Sequence, residues 1–446
     1  MTTLRANVLN LRAGEWRPVL VLGLMLLCNA FAMQISYVSS VAGFLAETDV
    51  DNILLVWIID FALIAVLTGA QSLVVDRFER RKLFVAVTLV FALAFVGVRC
   101  LFWIGAPGWL SYGALYMLAE QQWLFFPLVF WAFANGLFTT SQSTRIIPVV
   151  SSFAFAGRLL GLGFAALVPA LLARSGAGLE SLVLVNAAVY LGILLTFLTL
   201  GRDLQPTTAL SKRAEGMRET LTEGWEFVRE VPAFRYLTGA MVALAVTETI
   251  VEFHFFRITS EAFAAAGSYE TFYSLYRLVN VLLAFSLQLL VTSRLLQRLT
   301  LKKAFYVAPI AYFLAVACMF ALPGVLGGAF GMTLQKTTRD TVDDSARKSL
   351  QGVVPEERRG RVSMFMDSYV LSFGTIVASL LTFGIVVLGA HLPLVTGAVY
   401  LGVAAMSALL AWYLVRRMSL SYDQSMLNWR LKRRGRTSSV LDRLNL

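Results

Sequence analysis

The chain has 446 residues, 58% of them hydrophobic and only 15% charged, against roughly 45–50% and about 25% in soluble domains. That balance excludes an ordinary soluble globule, and a mean hydropathy of +0.71 agrees. The net charge of +11 does not point to nucleic acid, because Lys and Arg gather in short polar segments between apolar runs, as in the cytoplasmic loops of membrane proteins.

Twelve spans are predicted, at 18–44, 53–75, 82–104, 109–138, 147–172, 180–200, 236–258, 269–292, 303–323, 324–345, 363–389 and 393–415. Runs of about 20 apolar residues are long enough to cross a hydrocarbon core of roughly 30 Å as helix. Continuous runs without strand alternation favour helices over a barrel. The first run, Val19 to Met33, continues into a full span, so no cleaved leader is expected. Cys28, Cys100 and Cys318 lie inside apolar runs and read as buried thiols. His254 and His391 form no metal-ligand pattern with them, so neither metal nor cofactor is expected.

An even number of spans places both termini on one side. Loops on that side carry Arg77, Arg80, Arg81 and Lys82, then Arg294, Arg298, Lys302 and Lys303, then Arg358, Arg359 and Arg361. The opposite loops hold mainly Glu47, Asp49, Asp51, Glu180 and Arg174. The Lys/Arg asymmetry predicts cytoplasmic termini in a bacterial inner membrane. Between spans six and seven, Arg202 to Glu230 is polar, and Met217, Leu221, Trp225 and Val228 recur there at helical spacing. An amphipathic helix at the membrane surface is expected. The organisation predicted is a six-helix half over 1–200, a cytoplasmic amphipathic linker over 201–235, a second six-helix half over 236–415 and a basic cytoplasmic tail over 416–446. The tail's WRLKRRGR, Trp429 to Arg436, suits membrane lipids with anionic headgroups rather than nucleic acid.

The two halves echo each other. LVVDRFERRKLF follows the second span and LVTSRLLQRLTLKKAFYV the eighth, as parallel repeats about an axis along the membrane normal would give. The first copy, from Asp76 through Arg80 to Arg81, resembles the loop signature of the major facilitator superfamily. The resemblance implies an all-α fold of about twelve transmembrane helices in two pseudo-symmetric halves. It also implies that spans one, four, seven and ten line a central cavity.

Ionisable groups at bilayer depth are costly and therefore informative. Span one offers only neutral polar groups, among them Asn29, Gln34, Tyr37, Ser39 and Ser40. Span four carries Glu120, Gln121 and Gln122, followed by Asn135; span seven carries Glu248 and Glu252. Span ten is the most charged, with Lys336, Asp340, Asp344 and Lys348 on one four-residue ladder and Arg339, Asp343 and Arg347 on another. Arg347 or Lys348 could reach the cavity as an anion ligand, or the ladders could be ion pairs closing the cytoplasmic end. Glu120 and Glu252 could carry protons or meet a substrate amine or hydroxyl, or could pair with Arg158, Arg277 or Arg257. Asp60 and Asp367 read as inter-helix hydrogen-bonding posts.

The segment YMLAEQQWLFFPLVFWAFANGLFTTSQSTR, Tyr116 to Arg145, resembles the ATP/ADP translocases of plastids and intracellular bacteria. Ala119, Glu120, Trp123, Phe130, Trp131, Phe133, Ala134 and Asn135 carry that resemblance. The family likeness puts Glu252, in TIVEF, on an acidic position, and Arg347 or Lys348 on a basic one. It puts Gly360 and Arg361 on a Gly-Lys pair, with Asp367 near an aspartate. One departure stands out: MQISYVSSV, with Gln34 and Tyr37, occupies the stretch where the family has a nucleotide-binding lysine. The likeness implies a distant bacterial branch of transporters.

No Walker-type nucleotide-hydrolysis motif is present, so transport would draw on an ion gradient or counter-exchange. The expectation is a secondary transporter or exchanger of an anionic or zwitterionic solute, a nucleotide among the candidates, and not an enzyme. Two alternatives are a lipid or lysophospholipid flippase on the same fold, and a non-transporting sensor or partner-binding protein.

Overall fold

A computed structural model describes residues 12, 14–75, 78–175, 178–204, 217–264, 266–288, 290, 301–351, 354 and 356–444. Secondary structure among these residues is helical throughout. In chain order the helices are α1 (Trp16–Glu47), α2 (Ile53–Val75), α3 (Arg80–Trp103), α4 (Gly108–Ala134), α5 (Thr140–Ser175), α6 (Leu182–Thr199), α7 (Met217–Glu230), α8 (Pro232–Ala262), α9 (Ala266–Leu287), α10 (Leu301–Ala304), α11 (Val307–Ala321), α12 (Val325–Thr338), α13 (Asp344–Gln351), α14 (Glu356–Met364), α15 (Leu371–Leu388) and α16 (Pro393–Leu444). Two π-helical turns, Arg339–Asp343 and Phe365–Val370, join α12 to α13 and α14 to α15.

Nine helical stretches among the described residues are long and apolar enough to cross a membrane on composition alone. The other three predicted spans fall on α4, α9 and α12, which carry Glu120, Glu270 with Arg277, and Lys336. Leu93, Leu167, Leu195, Leu326 and Leu388 stand exposed on helix surfaces, as lipid-facing residues do. The last helix continues through the basic tail to Leu444.

The chain forms two compact units. One comprises Met1–Val56, Gly69–Glu215 and Ser260–Val281; the other comprises Trp57–Thr68, Gly216–Thr259 and Leu282–Leu446. In the first, α1 is the central helix and packs against α4, α5 and α6. Gly157 and Gly161, four residues apart on α5, lie against the backbone carbonyls of Leu27 and Phe31 on α1. A Cβ at Gly161 would stand 2.7 Å from the Phe31 oxygen, and one at Gly157 would meet the Leu27 oxygen more closely still. Small residues at this spacing let membrane helices approach backbone to backbone. Gly157→Leu is therefore expected to lower the melting temperature of the purified protein by several degrees, since overpacking costs about 1–3 kcal/mol or more. An unchanged melting curve would show that α1 and α5 do not pack this way.

Hydrogen bonds reinforce the same bundle. The Tyr190 hydroxyl donates to Asn29 Oδ1 at 2.6 Å and accepts from Gln122 Nε2 at 3.0 Å. Asn186 Nδ2 donates to Ser36 Oγ at 2.7 Å. These bonds tie α1, α4 and α6 together where no water competes.

In the second unit, α7 packs onto α14 and the following π turn. Phe227 and Val228 are buried with Val362, Phe365 and Met366, while Trp225 is 58% exposed. This corrects the face read from sequence. The buried stripe runs through Leu221, Gly224, Phe227 and Val228 and packs on α14 and the π turn that follows it. Gly224 is the reason, because any Cβ there would collide with the Phe365 side chain. Arg361 pairs with Glu223 beside this contact.

The start of α1 is anchored by a carboxylate that the sequence reading passed over. Glu15 accepts the Arg12 backbone N–H at 2.8 Å and pairs with Arg145 of α5 at 3.0 Å. The Arg12 amide, and then the Arg145 guanidinium, hold its carboxyl below the usual range. A depressed folded-state value contributes stability above the unfolded carboxyl's pKa of about 4.3, and that contribution disappears as pH falls through the folded value. Glu15→Gln is expected to be less stable than wild type at neutral pH, with the difference shrinking below about pH 4. Melting curves across pH check it; a gap that widens in acid contradicts it.

Candidate functional site

The first unit concentrates polar chemistry where α1, α4 and α9 meet. On α9, Tyr273 and Arg277 are four apart and share one face. On α4, Tyr116 and Glu120 are four apart, and on α1, Gln34 and Tyr37 are three apart. The Arg277 guanidinium carbon lies 4.1 Å from the Tyr37 ring centroid and 5.7 Å from that of Tyr273. The Tyr37 ring in turn sits 5.5 Å from Tyr116 and 6.4 Å from Tyr273. Two tyrosine rings thus flank one guanidinium, using the attraction of a cation for ring faces, and Tyr116 packs on the first of them. Glu120 is within electrostatic reach of Arg277. Arg277 Nη1 and Gln34 Oε1 are buried without a hydrogen-bond partner in the structure.

The second unit holds a separate ion cluster around Arg347. Its guanidinium lies 3.0 Å from Asp343, 3.4 Å from Asp367 and 3.8 Å from Asp344. Asp343 belongs to one π turn and Asp367 to the other. Such turns displace side chains from regular α-helical register. Gln351 donates to Asp367 at 2.9 Å, and Lys348, 68% exposed, pairs with Asp344 at 2.6 Å. Arg339 leaves its ladder and pairs with Glu248 on α8. Three carboxylates already surround the Arg347 charge, so an incoming anion would have to displace them.

The remaining residues picked out by sequence are dispersed. Glu252 is half-buried on α8, Arg158 half-buried on α5, and Asp340 exposed in its π turn. Asn135 caps α4 and is exposed, while Arg80 begins α3. Asp76 lies outside the described residues. Sequence reasoning missed Tyr273, and named Arg277 only as a pairing partner. The signal was there in YETFYSLYR, where Tyr269, Tyr273 and Arg277 repeat at four-residue spacing.

Comparison with solved structures identifies the fold. The nucleoside transporter NupG matches with a TM-score of 0.66 and 14% identity, over 90% of this chain and 98% of that one. The POT family peptide transporter PepTSo matches at 0.65 and 11%, over 92% and 98%. A bacterial homologue of the iron transporter ferroportin matches at 0.60 and 17%, over 92% and 100%. The chain therefore has the major facilitator fold, with about twelve membrane-spanning helices in two pseudo-symmetric halves. It is a multi-pass membrane protein. No family model and no curated protein matches it, so the likeness to nucleotide translocases rests on its motifs.

Proposed function

We propose that the chain is a secondary transporter or exchanger of a small anionic or zwitterionic solute. It would work by alternating access in a bacterial inner membrane, with both termini cytoplasmic. The observation that carries this reading is Arg277, a guanidinium held over Tyr37 with Nη1 buried and unpartnered. Its forked donors suit a carboxylate or phosphate. Glu120, Gln34, Tyr37 and Tyr116 complete the site, Glu120 as counter-charge and the rings as a stacking surface.

The uncharged first span is explained in the same way. Where the translocases have a lysine on that span, Arg277 brings a cation to Tyr37 from α9. This supports solute binding over a non-transporting sensor, and a nucleotide is the finer reading because the tyrosines offer faces to a base. Arg347, Asp343, Asp344 and Asp367, with Lys348, Arg339 and Asp340, are assigned to gating ion pairs within the second unit. Glu252 is assigned to the solute path.

Thermal stabilisation of the purified protein tests the reading. ATP, ADP, inorganic phosphate, dialanine and lysophosphatidylglycerol form the panel. A ligand of the folded state at about 100 times its Kd adds about 2.7 kcal/mol. At least one soluble anion or zwitterion is expected to raise the melting temperature. A shift with the lysophospholipid alone favours a flippase, and no shift with any member contradicts the proposal.

A further inference from the structure

Glu270 takes no part in the solute site proposed above, yet among the described residues it is the most completely enclosed carboxyl of the first unit, with 0% of its surface exposed. Its Oε1 accepts a hydrogen bond from Ser39 Oγ of α1 at 2.9 Å. Its Oε2 is buried without a hydrogen-bond partner. Among the described residues no cation comes within ion-pair distance of it.

The groups facing it confirm that isolation. From α1 comes the neutral Ser39. From α4 comes Tyr112, whose phenol is within electrostatic reach of Glu270 and also of Glu47, Glu180 and Arg99. Toward α5, the neighbouring turn of α9 meets the Ala166 carbonyl through Thr271 and the Pro169 ring through Gly267. On α9 itself, Tyr269 and Tyr273 flank it, and Arg277 is seven residues on, over Tyr37. An ionised carboxylate in such surroundings is uncompensated, whereas a carboxylic acid satisfies them. A lone carboxyl with one hydroxyl offers too few oxygens to enclose a metal cation, but a proton needs only one.

We propose that Glu270 is the proton-binding site of this protein and couples solute movement to proton movement, with Ser39 linking it to α1. A proton taken from water forms an O–H bond at Oε2 while Ser39 continues to donate to Oε1. Release breaks that O–H bond and returns the proton to water, leaving the carboxylate. With Oε2 buried, a proton bound there is occluded. Ser39 lies two residues from Tyr37, so α1 connects the proton site to the ring beneath Arg277. The proton site stands on its own geometry; its coupling role rests on the transport reading.

Infrared difference spectra of the full-length protein in lipid nanodiscs, taken between about pH 5 and about pH 9, test the site directly. Wild type is expected to show a protonated-carboxyl band that titrates in this range. Glu270→Gln removes the band, and Ser39→Ala, which keeps the carboxyl, shifts its midpoint. Identical difference spectra for wild type and Glu270→Gln overturn the proposal. In liposomes loaded with a pH-sensitive dye, external ADP, glutamate or dialanine is expected to drive proton entry. Glu270→Gln keeps solute exchange but loses proton entry. Solute entry without protons in wild type overturns the coupling role. If none of these solutes moves in wild type, the transport reading fails instead, and the infrared band alone decides the proton site.

Discussion

Arg347→Ala is expected to destabilise the second unit sharply, by about 3–5 kcal/mol, because removing one partner of a buried ion pair leaves the other charge uncompensated. The Arg347 and Asp343 side chains are each only 11% exposed, and Asp367 and Asp344 lean on the same guanidinium. Without it, three carboxylates at the junction of two π turns face one another. The measurement is thermal unfolding of detergent-purified protein, read by loss of the monodisperse fraction. The companion variant, Arg347→Met with Asp343→Asn, removes opposite charges together and is expected to recover most of the loss. If Arg347→Ala melts like wild type, the cluster does not hold the unit together.

Arg277→Ala is expected to weaken binding of the stabilising anion by about 10- to 150-fold, the span of one charge-assisted hydrogen bond at about 1.5–3 kcal/mol. Arg277→Lys keeps the charge but loses the flat fork that rests on Tyr37, so it is expected to fall between. Tyr37→Phe retains the ring face and is expected to bind nearly as wild type does. Isothermal titration with the ligand found in the melting panel separates these variants. Equal affinity for wild type and Arg277→Ala would remove Arg277 from the site.

Much of the fold was legible because bilayer physics writes itself into composition. Apolar runs near 20 residues, an even count and Arg-rich turns after spans two and eight suffice for the architecture. The amphipathic character of Met217 to Val228 was also readable, but its orientation was not. That depended on Gly224 meeting Phe365, a contact 141 positions away that no local periodicity encodes. The ladders on span ten illustrate a different limit. Regular spacing aligned Arg339 with Asp343, whereas the π turn over Arg339–Asp343 re-registers the helix and Arg339 pairs with Glu248 instead.

The proposed solute site was half legible. Glu120 and Tyr37 stood out as polar residues in apolar runs, and Arg277 was named as a neighbour for Glu120. What periodicity could not show is that α9 lays its Arg277 on the Tyr37 ring of α1, since that pairing spans 240 residues. Glu270 went unnoticed because it lies at the polar start of a predicted span, where an acidic residue reads as an interfacial one. Its burial and its bond to Ser39 are tertiary facts.

The central claim is that this protein moves an anionic or zwitterionic solute through a site containing Arg277. Counterflow in liposomes tests it most directly. Vesicles holding the purified full-length chain are loaded in turn with unlabelled ADP, phosphate, glutamate or dialanine and diluted into the labelled compound, with neither ATP hydrolysis nor an imposed gradient. Transient accumulation of at least one label by wild type, abolished in folded Arg277→Ala, is the result predicted. Entry that Arg277→Ala leaves untouched, or no entry of any of the four by folded wild type, contradicts the claim.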